Sequence, residues 1–165
     1  MRYEVCVNSY VRYNEGKGLG EWIELGRDWW EIAEELESLG FDLEGYDEEL
    51  FIIDDNGLGC GEANPYYINS CLEAIDEDEE IMFLACLELI DFEDVCEMFN
   101  NRTSDDIIFY ECMSLVDVAF EIADELLDCR NCPDIMSRYF DYERFARDLG
   151  FEGYIETKFG VILLP

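Results

Sequence analysis

Residues 107–128 read IIFYECMSLVDVAFEIADELLD and combine the sequence pattern of a β-strand with that of an α-helix. Residues 107–112 are mostly apolar and aromatic, which predicts a β-strand. From Leu115 the apolar residues recur every three or four positions, which predicts an amphipathic helix that starts after Ser114 and ends near Leu127. The predicted inner face of this helix consists of Val118, Ala119, Ile122 and Leu126. A strand followed directly by such a helix favours an α+β fold.

Similar patterns continue on both sides of this segment. The predicted upstream elements are strands at residues 3–10, 21–24 and 49–53, a helix at 29–39 capped by Asp28, a loop at 54–65 and helical structure throughout 66–100. The predicted downstream elements are a short and a longer helix within residues 134–149 and a hairpin of residues 154–157 and 161–164. We therefore expect an α+β chain of three small modules: a small antiparallel sheet plus helix at 1–61, a helical middle at 62–103, and a sheet plus helices at 104–165.

The net charge of −32 is distributed unevenly along the chain. Residues 1–27 contain four acids and four bases, residues 28–101 contain 24 acids and no Lys, Arg or His, and residues 102–165 contain 14 acids and six bases. Because like charges repel and oppose compaction, this excess is expected to serve something other than stability. Half of the residues are hydrophobic, so the chain can bury a core and the charge should lie on a folded scaffold.

Several acids are expected to form ordered arrays that bind a partner. In the helix at 115–127 they step by four, three and four residues and form one stripe: Asp117, Glu121, Asp124 and Asp128. The other acids expected on this surface are Glu31, Glu34, Glu35, the run Asp76, Glu77, Asp78, Glu79, Glu80, and Asp91, Glu93 and Asp94. B-form DNA carries one charge per ~1.7 Å of axis, so 32 charges match roughly 16 base pairs. The pattern fits either a folded polyanion that a DNA-binding protein would grip or a solvated acidic face.

Several kinds of chemistry are excluded or disfavoured by the sequence. The chain has no His, so histidine-dependent triads and histidine metal sites are excluded. The one CxxC motif, residues 129–132, has no second pair for zinc and follows a predicted helix, so its thiols are expected to be structural. The Gly-rich loop at 57–61 lacks the spacing of a dinucleotide fingerprint and the Lys of a P-loop. Neither this loop nor the run at 76–80 fits the calcium-loop pattern. These motifs therefore predict no cofactor and no dedicated metal site.

Neither a secretion signal nor a membrane span is expected. The start of the chain lacks a long apolar run before a small-residue cleavage site. The most apolar stretch, residues 81–90, includes Glu88 and is too short to span a bilayer. Most of the eight cysteines lie in apolar runs, so we expect free thiols in a reducing cytoplasm.

Three segments, in the expected order, resemble the ArdA antirestriction family. Residues 139–149, YFDYERFARDL, resemble the family's Tyr-x-Asp-Tyr-Glu-x-x-Ala-Arg-Asp-Leu segment. Residues 110–119, YECMSLVDVA, resemble its strand-to-helix segment, and residues 20–25, GEWIEL, resemble its Gly-x-Trp-Ile strand.

The resemblance implies an elongated, curved protein of three modules that forms a homodimer through its C-terminal module. It implies imitation of bent B-form DNA and inhibition of type I DNA restriction–modification enzymes through the DNA-binding groove of their methyltransferase core. It further implies a gene carried on mobile genetic elements. It also implies an inhibitor that is not an enzyme and has no catalytic residues, with its function spread over the acidic surface. The neutral segment at residues 1–27 departs from this picture and is expected to contribute less to mimicry.

Three alternatives remain at this point. An acidic chaperone of histones or other basic proteins would share the charge, but such proteins usually carry longer acidic tails than the run at 76–80. A divalent-cation buffer would bind calcium tightly and stoichiometrically. A halophilic housekeeping protein or enzyme would spread its charge over the chain, whereas residues 1–27 are neutral here. Nucleic acid itself is not an expected partner, because a polyanion repels it.

Overall fold

The computed structural model describes residues 1–129 and 139–165, without the side chains of residues 127–129. Over this part the chain is α+β, as predicted, with helices and two three-stranded antiparallel sheets. The second cysteine of the CxxC motif and the shorter helix predicted after residue 134 lie outside the described residues.

The elements follow one another in an order close to the predicted one. In chain order they are β1 (Tyr3–Ser9), α1 (Tyr10–Asn14), β2 (Glu21–Leu25), α2 (Trp29–Ser38), β3 (Leu50–Asp55), α3 (Pro65–Glu73), α4 (Glu80–Cys86), α5 (Phe92–Asn100), a 3-10 turn (Thr103–Asp106), β4 (Ile108–Glu111), α6 (Leu115–Cys129), α7 (Tyr142–Phe151), β5 (Ile155–Thr157) and β6 (Gly160–Leu163). Residues 66–100 thus form separate helices with links between them, and none of the described helices is long and apolar enough to cross a membrane.

The chain divides into two compact units. The first unit comprises Met1–Glu80 and Ile90–Asn101, and the second comprises Ile81–Leu89 and Arg102–Pro165. The division into three modules at residues 61 and 103 stays a prediction.

The first unit is organised around β1, the central strand of a sheet with the order β2-β1-β3. Three consecutive β1 residues, Val5, Cys6 and Val7, are buried, so both faces of this strand are covered. The helix α2 buries Ile32 and Leu36 completely, and the Asp28 carboxylate caps it by accepting a hydrogen bond from the Trp30 amide at 2.8 Å. The predicted cap of this helix is therefore confirmed.

The second unit contains the sheet β4-β6-β5, in which β5 and β6 form the predicted hairpin. Its core consists of Val118, Ala119, Ala146, Leu149 and Val161, which join α6, α7 and β6. The predicted inner face of α6 is confirmed at Val118 and Ala119, and Ile122 is partly buried against them. The assignment of Leu126 to that face is wrong, because its side chain is 48% exposed. The buried positions described on α6 end at Ala123, so the helical periodicity continues beyond the core.

Candidate functional site: a distributed acidic surface

The three predicted acids of α2 differ in their surroundings. Glu31 and Glu34 are exposed. Glu35 is half-buried and forms an ion pair with the guanidinium of Arg27, whose Nε also donates to the Glu24 carbonyl at 2.9 Å. Two of the three carboxylates therefore present charge to solvent, and the third is neutralised within the chain.

The run of five acids forms the link between α3 and α4, and its last residue begins α4. Residues 76–78 are exposed, whereas Glu79 and Glu80 are half-buried. The Glu79 carboxylate accepts a hydrogen bond from the Asp76 amide at 3.3 Å, and Glu80 pairs with the amino group of Met1 at 3.0 Å. Most of this run faces solvent, with its end anchored to the first unit.

Further acids lie at the start of α5. Asp91 precedes the helix, Glu93 and Asp94 lie in its first turn, and all three are exposed. Negative charge at a helix N-terminus is favoured by the backbone dipoles, so these positions carry acids at little cost to the fold.

The stripe on α6 is exposed wherever its side chains are described, at Asp117, Glu121 and Asp124. The Asp117 carboxylate accepts hydrogen bonds from Ser114 Oγ at 2.5 Å and from the Ser114 amide at 3.0 Å, and these bonds hold the pKa of Asp117 below its usual value. Glu125, which the stripe pattern did not include, is also exposed. Asp128 lies on α6, but its side chain is outside the described part.

Each basic side chain of the first unit is paired with a carboxylate of the same unit. The pairs are Arg2–Glu24 at 2.8 Å, Arg12–Asp47 at 2.9 Å, Lys17–Glu15 at 2.7 Å and Arg27–Glu35. All four basic side chains of residues 1–27, the segment with no net charge, are therefore already paired within the chain. In two of the four pairs, Arg12–Asp47 and Arg27–Glu35, a basic residue of segment 1–27 binds an acidic residue of the segment at 28–101.

Asp47 is buried, alone among the acidic residues for which the structure describes a side chain. Its carboxylate accepts hydrogen bonds from Ser9 Oγ at 2.5 Å, from Arg12 Nε at 2.9 Å and from the Asp42 amide at 2.9 Å. Burial raises the pKa of Asp47, but these three hydrogen bonds outweigh burial and hold the pKa below its usual value. The guanidinium of Arg12 also lies 4.1 Å from the centre of the Phe41 ring. No local sequence pattern links residues 9, 12 and 47, so this network was not predicted.

The Gly-rich loop binds a carboxylate of its own chain. Asp55 accepts hydrogen bonds from the amides of Gly57 and Gly59 at 3.0 Å each and from the Cys60 amide at 3.2 Å. Burial raises the pKa of Asp55, but hydrogen bonds led by that from Gly59 hold it below its usual value. The backbone amides of this loop that could bind a phosphate therefore already bind the Asp55 carboxylate.

Potential metal ligands and thiols are spread over the described residues. No cluster of three or more His, Cys, Asp or Glu side chains within the described residues is arranged to hold a metal ion. Six cysteines with described side chains are free thiols. Burial raises the pKa of Cys60 to about 12, with help from the nearby Asp55 carboxylate, and that of Cys86 to about 11. These two thiols are therefore protonated at neutral pH.

The fold and the surface together define a class of protein: a small α+β polyanion whose exposed carboxylates are its main chemical feature. The family model described as antirestriction protein (ArdA) matches residues 5–162. The chain belongs to the ArdA family of antirestriction proteins, which are inhibitors, and the resemblance seen in the sequence is confirmed. No curated protein matches the chain.

Proposed function

We propose that the chain inhibits type I DNA restriction–modification enzymes by occupying the DNA-binding groove of their methyltransferase core with its acidic surface. One observation carries this proposal: the acids of α2, α5, α6 and the link at residues 76–80 are largely exposed, while the basic side chains of the first unit are paired internally. A partner that approaches this unit meets carboxylates without unpaired cations.

The physical mechanism is competition for the groups that bind DNA. A DNA-binding groove gains affinity by neutralising phosphates with Lys and Arg. Along α6, Asp117, Glu121 and Asp124 are separated by ~6 Å and ~4.5 Å of helix axis, as the rise per residue requires. One DNA strand carries a phosphate every ~3.4 Å, so one helix is sparser than a strand and several elements must contribute. The protein needs no chemistry, because an occupied groove cannot bind or cut DNA.

The finer organisation is also a proposal. The three modules at residues 1–61, 62–103 and 104–165 would each present part of the surface, and the last would form a homodimer. Exposed apolar side chains in the second unit support association: Ile108, Val116 and Phe120 are 43%, 43% and 51% exposed. A dimer would carry the charge of roughly 32 base pairs. Inhibition of restriction would take place in the cytoplasm, and a mobile genetic element whose DNA enters a new host would benefit from it.

A competition experiment tests the proposal. A fluorescent duplex bound to a type I methyltransferase core, at ~0.15 M salt, is titrated with the protein, and DNA release is followed by anisotropy. We expect stoichiometric displacement. Polyglutamate with the same total charge is the matched control, and it should compete far more weakly because its carboxylates are not fixed in space. If the folded protein fails to displace DNA, the proposal is wrong, and binding to free histones would then test the chaperone alternative.

A further inference from the structure

The first unit contains an aromatic surface pocket that acidic mimicry does not explain. It has a volume of about 350 Å³, and its lining residues are Tyr10, Tyr13, Asn14, Phe51, Ile53 and Glu62. The Tyr10 ring stacks on Phe51 with centroids 4.3 Å apart, and Tyr13 meets Phe51 edge-on at 5.7 Å. Tyr10 is 41% and Tyr13 61% exposed, so aromatic surface is open to solvent beside the exposed Glu62.

Aromatic rings beside a carboxylate form a binding site for an organic cation. The negative face of an aromatic ring attracts a cation within ~6 Å, and a nearby carboxylate adds a charged hydrogen bond. The first unit uses this combination twice for its own cations. Arg12 lies over Phe41 and pairs with Asp47, and Lys17 lies 5.6 Å from the Tyr46 ring centre and pairs with Glu15.

The pocket at Tyr10, Tyr13, Phe51 and Glu62 is a third such combination of aromatic rings and a carboxylate. The four basic side chains of the first unit are paired elsewhere, and among the described residues no cation pairs with Glu62. The occupant is therefore expected to come from another molecule.

The pocket is also held in shape before any ligand arrives. Tyr10 and Tyr13 lie on α1, and the Ser9 hydroxyl at the start of this helix accepts a hydrogen bond from the Arg12 amide at 3.2 Å. The same hydroxyl donates to the buried Asp47 carboxylate, which also binds the Arg12 side chain. A site whose walls are already fixed loses less entropy when it binds.

We propose that this pocket binds an arginine side chain of the partner protein. Arginine fits better than lysine because its planar guanidinium stacks on an aromatic ring while donating two parallel hydrogen bonds to a carboxylate. The inference that the arginine belongs to a DNA-binding groove rests on the proposed function, whereas the affinity of the pocket for a guanidinium does not. Residues 1–27, which have no net charge, would then contribute to partner binding through the aromatic contacts of Tyr10 and Tyr13.

The direct test is a titration of the ¹⁵N-labelled protein with N-acetyl-arginine-N-methylamide at ~0.15 M salt, followed by NMR. The lysine analogue and the citrulline analogue, a neutral isostere of arginine, are titrated in parallel. We expect saturable shifts centred on residues 10–14 and 62 with arginine, weaker binding of lysine, and none with citrulline. Equal binding of lysine would overturn the guanidinium assignment, and equal binding of citrulline, or no saturable shift with arginine, would overturn the cation site.

Variants connect the pocket to inhibition. Tyr13→Leu keeps an apolar side chain but removes the ring, and Glu62→Gln removes the charge. Glu44→Gln is the matched control, since it removes one exposed charge of the same unit outside the pocket. Each pocket variant should weaken arginine binding by about fivefold or more, the loss of one cation–π or charged contact. Glu44→Gln should change it by less than about twofold. Melting curves check that all three variants fold.

The same variants in the DNA-competition assay separate the two proposals. At concentrations of core and DNA low enough for displacement to report affinity rather than stoichiometry, Tyr13→Leu should need about five times more protein than wild type for half-displacement of DNA. If wild type displaces DNA and Tyr13→Leu and Glu62→Gln do so equally well, the pocket has no role in inhibition and this inference is overturned while the proposed function stands. If wild type does not displace DNA, the proposed function fails, and the arginine titration still decides whether the pocket binds guanidinium.

Discussion

Replacement of Asp47 by Asn keeps the shape of the side chain and removes its charge, and we expect it to destabilise the first unit. If self-repulsion alone governed stability, the loss of any one of the 42 acids would stabilise the chain. Asp47 should behave in the opposite way, because it is 1% exposed and accepts hydrogen bonds from Ser9, Arg12 and the Asp42 amide. In Asp47→Asn an amide NH₂ would face one of these donors.

The size of the effect follows from the exposure of the two partners. Removal of one partner from a buried ion pair costs about 3–5 kcal/mol, and a hydrogen bond to a charged group contributes about 1.5–3 kcal/mol. The Arg12 side chain is 24% exposed, so water can compensate it in part. We therefore expect Asp47→Asn to lower the free energy of unfolding by ~3 kcal/mol. For a chain of this size, that corresponds to a fall in Tm of roughly 6–12 °C.

Urea unfolding at pH 7, followed by circular dichroism, measures the difference. Glu49→Gln is the matched control, because Glu49 is exposed and lies two residues further along the chain. It should change stability by less than about 0.5 kcal/mol, in the stabilising direction if at all. If Asp47→Asn and Glu49→Gln gave the same result, the reasoning about the buried network would be refuted.

The pH dependence provides a second check on the same residue. The pKa of Asp47 is lower in the folded chain than its usual value of 3.8, so its contribution is present above that value. The contribution is lost as the pH falls through the lower folded pKa, where both states become protonated. The stability difference between wild type and Asp47→Asn should therefore be constant from pH 7 to about pH 5 and shrink below about pH 4. A difference that grew on acidification would contradict the assigned direction of the pKa shift.

Three further predictions concern the surface and the thiols. Moderate salt should raise the Tm while weakening inhibition, because screening reduces both self-repulsion and attraction to the partner. A fall in Tm between low and moderate salt would contradict the role given to charge. Glu121→Gln or Asp124→Asn alone should change the inhibitory concentration by less than about twofold, since exposed charges each contribute little, and a loss of most inhibition would indicate a localised site. With iodoacetamide at pH 8, peptide mapping should show the exposed Cys112 modified well before Cys60 and Cys86, whose pKa values of about 12 and 11 keep them protonated. Earlier modification of the half-buried Cys60 would contradict its raised pKa.

Most elements of the fold were predictable because their signals are local. The periodicity of α2, the cap at Asp28 and the hairpin of β5 and β6 each depend on residues within a few positions of one another. The errors arise where the local structure or the burial of a residue depends on long-range contacts or on where the core ends. The helix α1 was not predicted because its capping residue is Ser9, the last residue of β1, whose hydroxyl is bound to Asp47, 38 positions away. Leu126 follows the helical period but lies beyond the last described buried position of α6.

The candidate site was predictable as a composition, but its pairings were not. Acidic residues on an amphipathic helix usually lie on its solvent-facing side. The exposure of Glu31, Glu34 and Glu121 therefore follows from the helical periodicity alone. Which carboxylates are neutralised depends on tertiary contacts, as with Glu35 and Arg27. The aromatic pocket was not predictable for the same reason, since Tyr10, Phe51 and Glu62 come together only in the folded unit.

The topology of the second sheet has a consequence for the behaviour of the protein at high concentration. Within the described residues, β4 and β5 each pair with β6 alone, so each leaves one edge of backbone donors and acceptors open. Unpaired strand edges promote association between the strands of different molecules and the growth of fibrils. Two exposed side chains add apolar surface at these edges: Ile108, which is 43% exposed, and Ile155, which is 41% exposed. The strong like charge then acts as a colloidal stabiliser that keeps these edges apart. Close to the isoelectric point of about 4.1 this repulsion is lost, and we expect the open edges to start aggregation.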